Sequence, residues 1–251
     1  MATTWTFRSR LMVATVIVAV MSLVFGAGGS AAAQSASAEG QAASPPAVSV
    51  GASTTVVSAY VWRGWVVADE ICMQPSAWIK ARGLTISAWG NVWPHNEGDS
   101  FTEHDLTVDY TRAAGRWQLS AGYINYFFSS LDSGRWSNEL YVGAAIPGPL
   151  NPSLRVYQDV HQGSGTYVSF GVSHGATVGS KGLSITPSAV LGYNNNQWVD
   201  GSGWSDVSVG AVVAFPLNGH VDASASMNYS RSLNKDWFPS KAWGGVTVSV
   251  H

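Results

Sequence analysis

GRWQLSAGYINYFF, residues 115–128, sets Trp117, Leu119, Ala121 and Tyr123 on one parity and Gln118, Ser120 and Gly122 on the other. A repeat of two is the signature of a strand with one apolar and one polar face. The alternation recurs through the chain. Leu84, Ile86, Ala88 and Val92 share a parity, as do Leu106, Val108 and Tyr110, and Val207, Val209, Ala211, Val213 and Phe215. After residue 47 no segment keeps helical i, i+3, i+4, i+7 spacing for three turns, and no apolar run reaches 18 residues. The pattern predicts twelve strands, over 48–62, 72–82, 84–93, 103–111, 116–127, 137–146, 152–159, 166–177, 183–193, 205–215, 220–229 and 241–250.

The charges avoid the apolar parity. Lys80, Arg82, Asp105, Asp109, Glu139, Arg155, Asp159, Asp206 and Asp222 all fall on the opposite one, among Ser, Thr, Gln, Asn and Gly. Composition agrees: of 251 residues 46% are hydrophobic, 12% aromatic and only 11% charged, against about 25% charged in an average globular domain. With 13 Lys plus Arg, 15 Asp plus Glu and a net charge of -2, no basic face exists for nucleic acid. A single cysteine, Cys72, excludes an internal disulfide, and the six histidines lack metal-ligand spacing.

Ahead of the strands, Arg8 and Arg10 precede a 15-residue apolar run, Leu11 to Phe25, and Ala31-Ala32-Ala33 supplies small residues for cleavage. This is the layout of a secretory signal peptide, 1–33, for export through the Sec pathway. The run is short of the roughly 20 residues of a spanning helix. Residues 34–46 are rich in Ala, Ser and Pro and read as a disordered leader. Residues 47–251 then form one β domain.

A two-sheet sandwich would alternate as well. The connections separate the two. Joins at Arg82-Gly83, 112–115, 147–151, 179–182 and 216–219 are short, whereas those at 63–70, 94–102, 129–135, 160–165, 194–203 and 230–240 are mostly longer and more polar. Short turns at one end, long loops at the other and an even strand count describe a closed, up-and-down, antiparallel transmembrane β-barrel. Tyr60, Trp62 and Trp65, with Tyr123, Tyr126, Phe127 and Phe128, and Trp93, Tyr193, Tyr229, Trp237 and Phe238, gather near strand ends. They read as a girdle at the headgroup level, the alternative being aromatics that pack a core or stack on sugars. Pro75 and Pro187 fall inside predicted strands without a ladder N–H, so each calls for a bulge, a strand start or a shifted boundary.

SAYVWRG at 58–64, then PSAWIKARGLTISAWGNVW (75–93), EHDLTVDYT (103–111), GRWQLSAGYINYFF (115–128), SNELYVGAAI (137–146) and the YQD and GTYVSFGVSHG segments within 157–175 resemble the TorF-like porins, the Gcw_chp family. The Tyr-x-x-Arg-Gly element at Tyr60, Arg63 and Gly64 is the most recognisable part. The resemblance implies a barrel in the outer membrane of a Gram-negative cell, with outer-membrane lipid, the barrel-assembly machinery and small solutes as partners, and no catalytic residue. One departure is the ending Val246-Thr247-Val248-Ser249-Val250-His251, where such barrels usually carry an aromatic residue read by that machinery.

No catalytic, cofactor or metal site emerges. His161 and Ser164 are close in sequence with Asp159 nearby, but no GxSxG elbow surrounds the serine. Asp105 and Asp109 share a face roughly 13 Å apart, too far to share a proton. Gly163/Gly165 and Gly201/Gly203 precede no helix and cradle no dinucleotide. The polar residues instead predict a wet lumen lined by Arg63, Lys80, Arg82 and Arg155 against Asp105, Asp109, Glu139, Asp159, Asp206 and Asp222. That is four positive to six negative, hence weak cation preference at best. Twelve strands stand between the filled eight-stranded and the open sixteen-stranded barrel, so the expected pore is narrow and open to plugging by a long loop. The expected function is passive passage of small solutes. The alternatives are a lipid-modifying outer-membrane enzyme using His161 and Ser164, or a secreted glycan-binding sandwich.

Overall fold

The computed structural model describes residues 48–96, 99–129, 131, 135–180 and 182–251; the signal peptide and leader expected over 1–46 lie outside the described residues. The regular elements there are fifteen strands: β1 (Ser49–Val57), β2 (Tyr60–Trp62), β3 (Trp65–Ala68), β4 (Cys72–Ala81), β5 (Leu84–Val92), β6 (Phe101–Ala114), β7 (Trp117–Phe127), β8 (Trp136–Ala145), β9 (Ser153–Asp159), β10 (Thr166–Ser173), β11 (Ala176–Val178), β12 (Leu183–Asn195), β13 (Ser202–Pro216), β14 (Val221–Ser232) and β15 (Lys241–Val250).

Twelve of them form a closed ring. Antiparallel pairing passes from β1 through β4 to β10, across to β12, on to β15 and back to β1. Each wall strand therefore has a hydrogen-bonded neighbour on both sides, the condition for crossing hydrocarbon, where an orphaned backbone group costs several kcal/mol. β11 continues the line of β10 against β12, in the same register.

The two prolines fall where the ladder lapses. β10 pairs with β12 as far as Ser173↔Ser188 and β11 resumes at Ala176↔Ile185, so the break lies opposite Pro187. Pro187 has no N–H to offer there, and its carbonyl accepts from the His174 N–H at 3.1 Å. Pro75 pairs normally with Thr54 of β1, but between Met73↔Val92 and Ser76↔Trp89 the β4–β5 ladder skips two positions. Neither proline shifts the register. The bulges of the wall lie elsewhere, at Asn91/Val92 against Phe101 and at Gly192/Tyr193 of β12, where Ser205 of β13 is the extra residue.

The molecule is turned inside out relative to a soluble domain. Val50, Val56, Ile79, Ile86, Leu106, Leu154, Phe170, Val209, Phe215, Val246 and Val248 lie exposed on one parity of their strands. The largest fully buried side chains are Gln197, Glu139, Asn91, Asp159 and Asp206. A secreted sandwich would bury the apolar face, so that alternative falls.

Two expectations need correction. The first predicted strand, 48–62, stops at Val57, and the expected loop 63–70 contains a strand: Tyr60–Ala68 folds as a hairpin separate from the wall. Arg63 (φ 49°) and Gly64 (φ 82°) make its two-residue turn, the backbone geometry tight hairpins prefer. The girdle is also only partly external. Phe127, Tyr193 and Tyr229 belong to the outward parity, but Tyr60 and Tyr126 are buried and Trp62, Trp65, Trp93 and Phe128 gather round the hairpin.

Candidate functional site

The hairpin lies in the lumen. Tyr60 packs on Trp89 of β5, with ring centroids 5.5 Å apart, and Trp62 on Tyr126 of β7 at 6.1 Å. Arg63 meets Glu139 of β8, Tyr157 of β9 and Tyr167 of β10, and Gly64 abuts Asp206 of β13. A short segment can touch strands so far round the ring only from within. Its base is held by the small apolar cluster of Val57, Tyr60, Ala68 and Cys72 and by an Asp69–Lys241 ion pair, and beside the turn Trp65 stacks on Phe238 at 6.2 Å.

At the tip, the Arg63 guanidinium donates from Nη1 to Glu139 Oε2 at 2.8 Å and from Nη2 to Oε1 at 2.7 Å. Nη1 also donates to Gln197 Oε1 at 2.6 Å, and Gln197 Nε2 donates to Glu139 Oε2 at 2.7 Å. The Tyr126 hydroxyl completes the carboxylate at 3.2 Å. Tyr157, Trp62 and Tyr167 present ring faces to the guanidinium at 3.9, 4.5 and 4.8 Å. The Glu139 side chain is wholly buried and that of Arg63 nearly so. This is a fork-to-fork ion pair with its remaining hydrogen-bonding positions filled, the arrangement that makes a buried pair tolerable. Neighbouring Glu139 strengthens the hold of Arg63 on its proton against the opposing effect of burial.

The loops shape this node. Asn194 brackets Gln197, its Oδ1 accepting from the Gln197 N–H at 2.8 Å and its Nδ2 donating to the Gln197 carbonyl at 3.0 Å. Asp159 organises the 160–165 loop, taking the Ser137 hydroxyl at 2.8 Å and the backbone N–H groups of His161 and Ser164 at 2.9 and 3.3 Å. Its carboxylate serves the loop, and the His161 ring stacks on Trp136 at 3.9 Å. Asp206 accepts from Tyr167, Ser205 and Ser208.

By register, Lys80, Asp105, Asp109, Glu139, Arg155, Asp159, Asp206 and Asp222 lie on the parity that meets the hairpin. Arg63 reaches the lumen from the hairpin tip. Arg82 differs: with φ 49° beside Gly83 at 88° it belongs to the β4–β5 turn, off the barrel wall. Glu103, absent from the expected lining, is buried on the same face, two residues before Asp105. Lumenal charge among the described residues is then three positive (Arg63, Lys80, Arg155) against seven negative, apart from the mutually paired Asp69 and Lys241. Toward the short turns lies a polar cavity of about 240 Å³ lined by Gln118, Ser120, Arg155 and Tyr157, and beside it Tyr141 donates to Asp109 at 2.5 Å.

Gly64 shows how closely the plug fits. A Cβ there would stand 2.8 Å from Asp206 Cβ, on a backbone at φ 82°. Gly64→Ala is expected to cost at least about 1–2 kcal/mol, since a left-handed backbone alone carries that penalty. Gly148→Ala, with nothing within 4 Å of its Cβ, should be near neutral. Urea unfolding in lipid vesicles, followed by tryptophan fluorescence, measures both.

No family model matches the chain, and no curated protein matches it. Solved structures do. The NanC porin is 12% identical, with 81% of this chain and 100% of that chain covered and a TM-score of 0.53. The translocator domain of autotransporter NalP from Neisseria meningitidis is 11% identical, covering 97% and 96% at a TM-score of 0.47. An outer-membrane channel from Pseudomonas putida F1 is 8% identical, covering 86% and 99% at 0.46. At these identities the likeness to the NanC porin is one of fold, that of a closed, up-and-down, antiparallel β-barrel.

Proposed function

We propose that the protein is a non-catalytic outer-membrane channel for small solutes, restricted by its own lumenal hairpin and selective for cations. The observation that carries this reading is the pairing of an apolar outer face with a charged, hydrogen-bonded interior in which a short hairpin is pinned by Arg63. A wall built to stand in lipid needs the first feature and a water-filled path needs the second. At its tip the restriction is side-chain deep, resting on one buried ion pair and its aromatic surround.

The long loops face outward from the cell in this reading, with residues 1–33 as a Sec export signal, 34–46 as a leader and 47–251 as the barrel inserted by the assembly machinery. Membership of the TorF-like porin family is supported by the Tyr60, Arg63 and Gly64 motif, whose residues build the hairpin itself. The wall charges Lys80, Asp105, Asp109, Glu139, Arg155, Asp159, Asp206 and Asp222 line the path.

The lumenal excess of carboxylates gives the sign of the selectivity. Reversal potentials in planar bilayers under a potassium chloride gradient are expected to show potassium preferred severalfold over chloride, stronger than the four-to-six count of the sequence implies. Anion preference, or no conductance at any voltage in a barrel shown to be inserted, would overturn the reading.

A further inference from the structure

Between the hairpin and the long loops lies a cavity of about 230 Å³ whose lining is mostly aromatic. Trp62 and Trp65 of the hairpin, Trp93 after β5, Phe128 after β7 and Trp198 after β12 form its walls, and Glu103 supplies a carboxylate. The volume is below the roughly 300 Å³ at which drug-sized pockets begin, so the occupant is small. Glu70 sets one wall, accepting from Trp93 Nε1 at 3.0 Å; that bond and its contact with His95 hold its carboxyl below the usual carboxylate range.

Charge identifies the occupant. Glu103 is buried and hydrogen-bonded by the Tyr60 hydroxyl, and no lysine, arginine or histidine lines the cavity among the described residues. Arg63, the nearby cation, is spent on Glu139. Behind Glu103, Asp105 keeps one carboxylate oxygen, Oδ1, buried without a hydrogen-bond partner among the described residues. Carboxyl oxygens thus gather on one side of a chamber whose other walls are ring faces, and ring faces themselves attract cations. A bare divalent ion would want six or more oxygen ligands, and the cavity offers indole and phenyl rings instead. A sugar would find rings to stack on, with few polar partners for its hydroxyls.

We propose that this vestibule binds a small organic cation of the quaternary or alkyl-ammonium class, held by the tryptophan faces and neutralised by Glu103. The inference deepens the channel reading by naming a solute class, and rests on it only for the outward orientation of the mouth.

The test is equilibrium binding to the full barrel refolded in detergent micelles, with choline as the probe and its uncharged tert-butyl isostere as the control, read by titration calorimetry. Choline is expected to bind saturably and the isostere at least about tenfold more weakly, as a desolvated cation–ring contact with a nearby carboxylate requires. Glu103→Gln should weaken choline by about tenfold. Trp198→Leu, in a loop outside the wall, should weaken it by a similar factor while heat-modifiable gel migration shows the barrel intact. Equal binding of choline and the isostere, absence of choline binding, or unchanged affinity in folded Glu103→Gln or Trp198→Leu would each overturn the proposal. Conductance is recorded separately. A barrel that binds choline but does not conduct sinks the channel reading alone, and one that conducts without binding choline sinks this assignment alone.

Discussion

Arg63→Ala is expected to release the hairpin and raise single-channel conductance severalfold while leaving the barrel closed. Glu139 is fully buried, and its carboxylate is matched by the two-pronged guanidinium with help from Gln197 and Tyr126. Removing one partner of a buried pair leaves a charge without compensation, which typically costs about 3–5 kcal/mol. That penalty is relieved most simply if water enters, and water enters if the hairpin swings away. A lone two-stranded ribbon is marginally stable by itself, so the plug depends on its anchor. The wall has its own continuous ladder and depends on it far less. Arg63→Lys keeps the charge but loses the fork and much of the stacking on Tyr157, so its conductance should fall between the two. Planar-bilayer recording decides the matter: conductance unchanged in Arg63→Ala would mean that the hairpin does not restrict the path.

The second large effect concerns the wall. Val246 and Thr247 are neighbours in the middle of β15; Val246 pairs with Val56 and Ala225 on the apolar parity, and Thr247 pairs with Thr55 and Ser224 on the polar one. Val246→Arg is expected to cost about 2–4 kcal/mol in vesicles, the penalty for a cation on the lipid side near the bilayer midplane. Thr247→Arg should cost far less, because its guanidinium enters a wet lumen already rich in carboxylates. The pair is compared by reversible urea unfolding in the same vesicles. Equal costs would mean that the two faces meet similar surroundings, contrary to a membrane-spanning barrel.

The wall was legible because its signal is repeated: twelve alternating segments and two classes of connection leave few other arrangements. The plug was not, for a local reason. Val56, Val57, Ala59, Tyr60, Val61 and Trp62 keep the chain apolar and strand-forming beyond β1, with no glycine or proline before Gly64, so the strand reading ran past the point where the backbone leaves the sheet. The available warning was Arg63-Gly64, a two-residue turn that reads as a short hairpin when its flanks are taken as strands. Tyr126 could have been sorted by parity alone, since it lies on the opposite face from Trp117, Leu119 and Tyr123. Glu103 was lost with a strand boundary drawn at its own position, although it shares parity with Asp105 and Asp109. Gln197 carried no signal at all. Its position depends on Asn194 and on a loop whose path only the folded chain defines.

The ring is fastened where its two ends meet: Thr55 and Thr247, 192 residues apart, share a hydroxyl hydrogen bond at 2.9 Å across the seam of β1 and β15. The clasp is therefore the last joint that synthesis permits, and until it shuts both flanking staves carry bare edges. Folding of such a molecule resembles hooping a cask, since no partial set of staves holds the final curvature. Loss of either β1 or β15 would therefore cost the circumference, and with it the chamber that the circumference encloses.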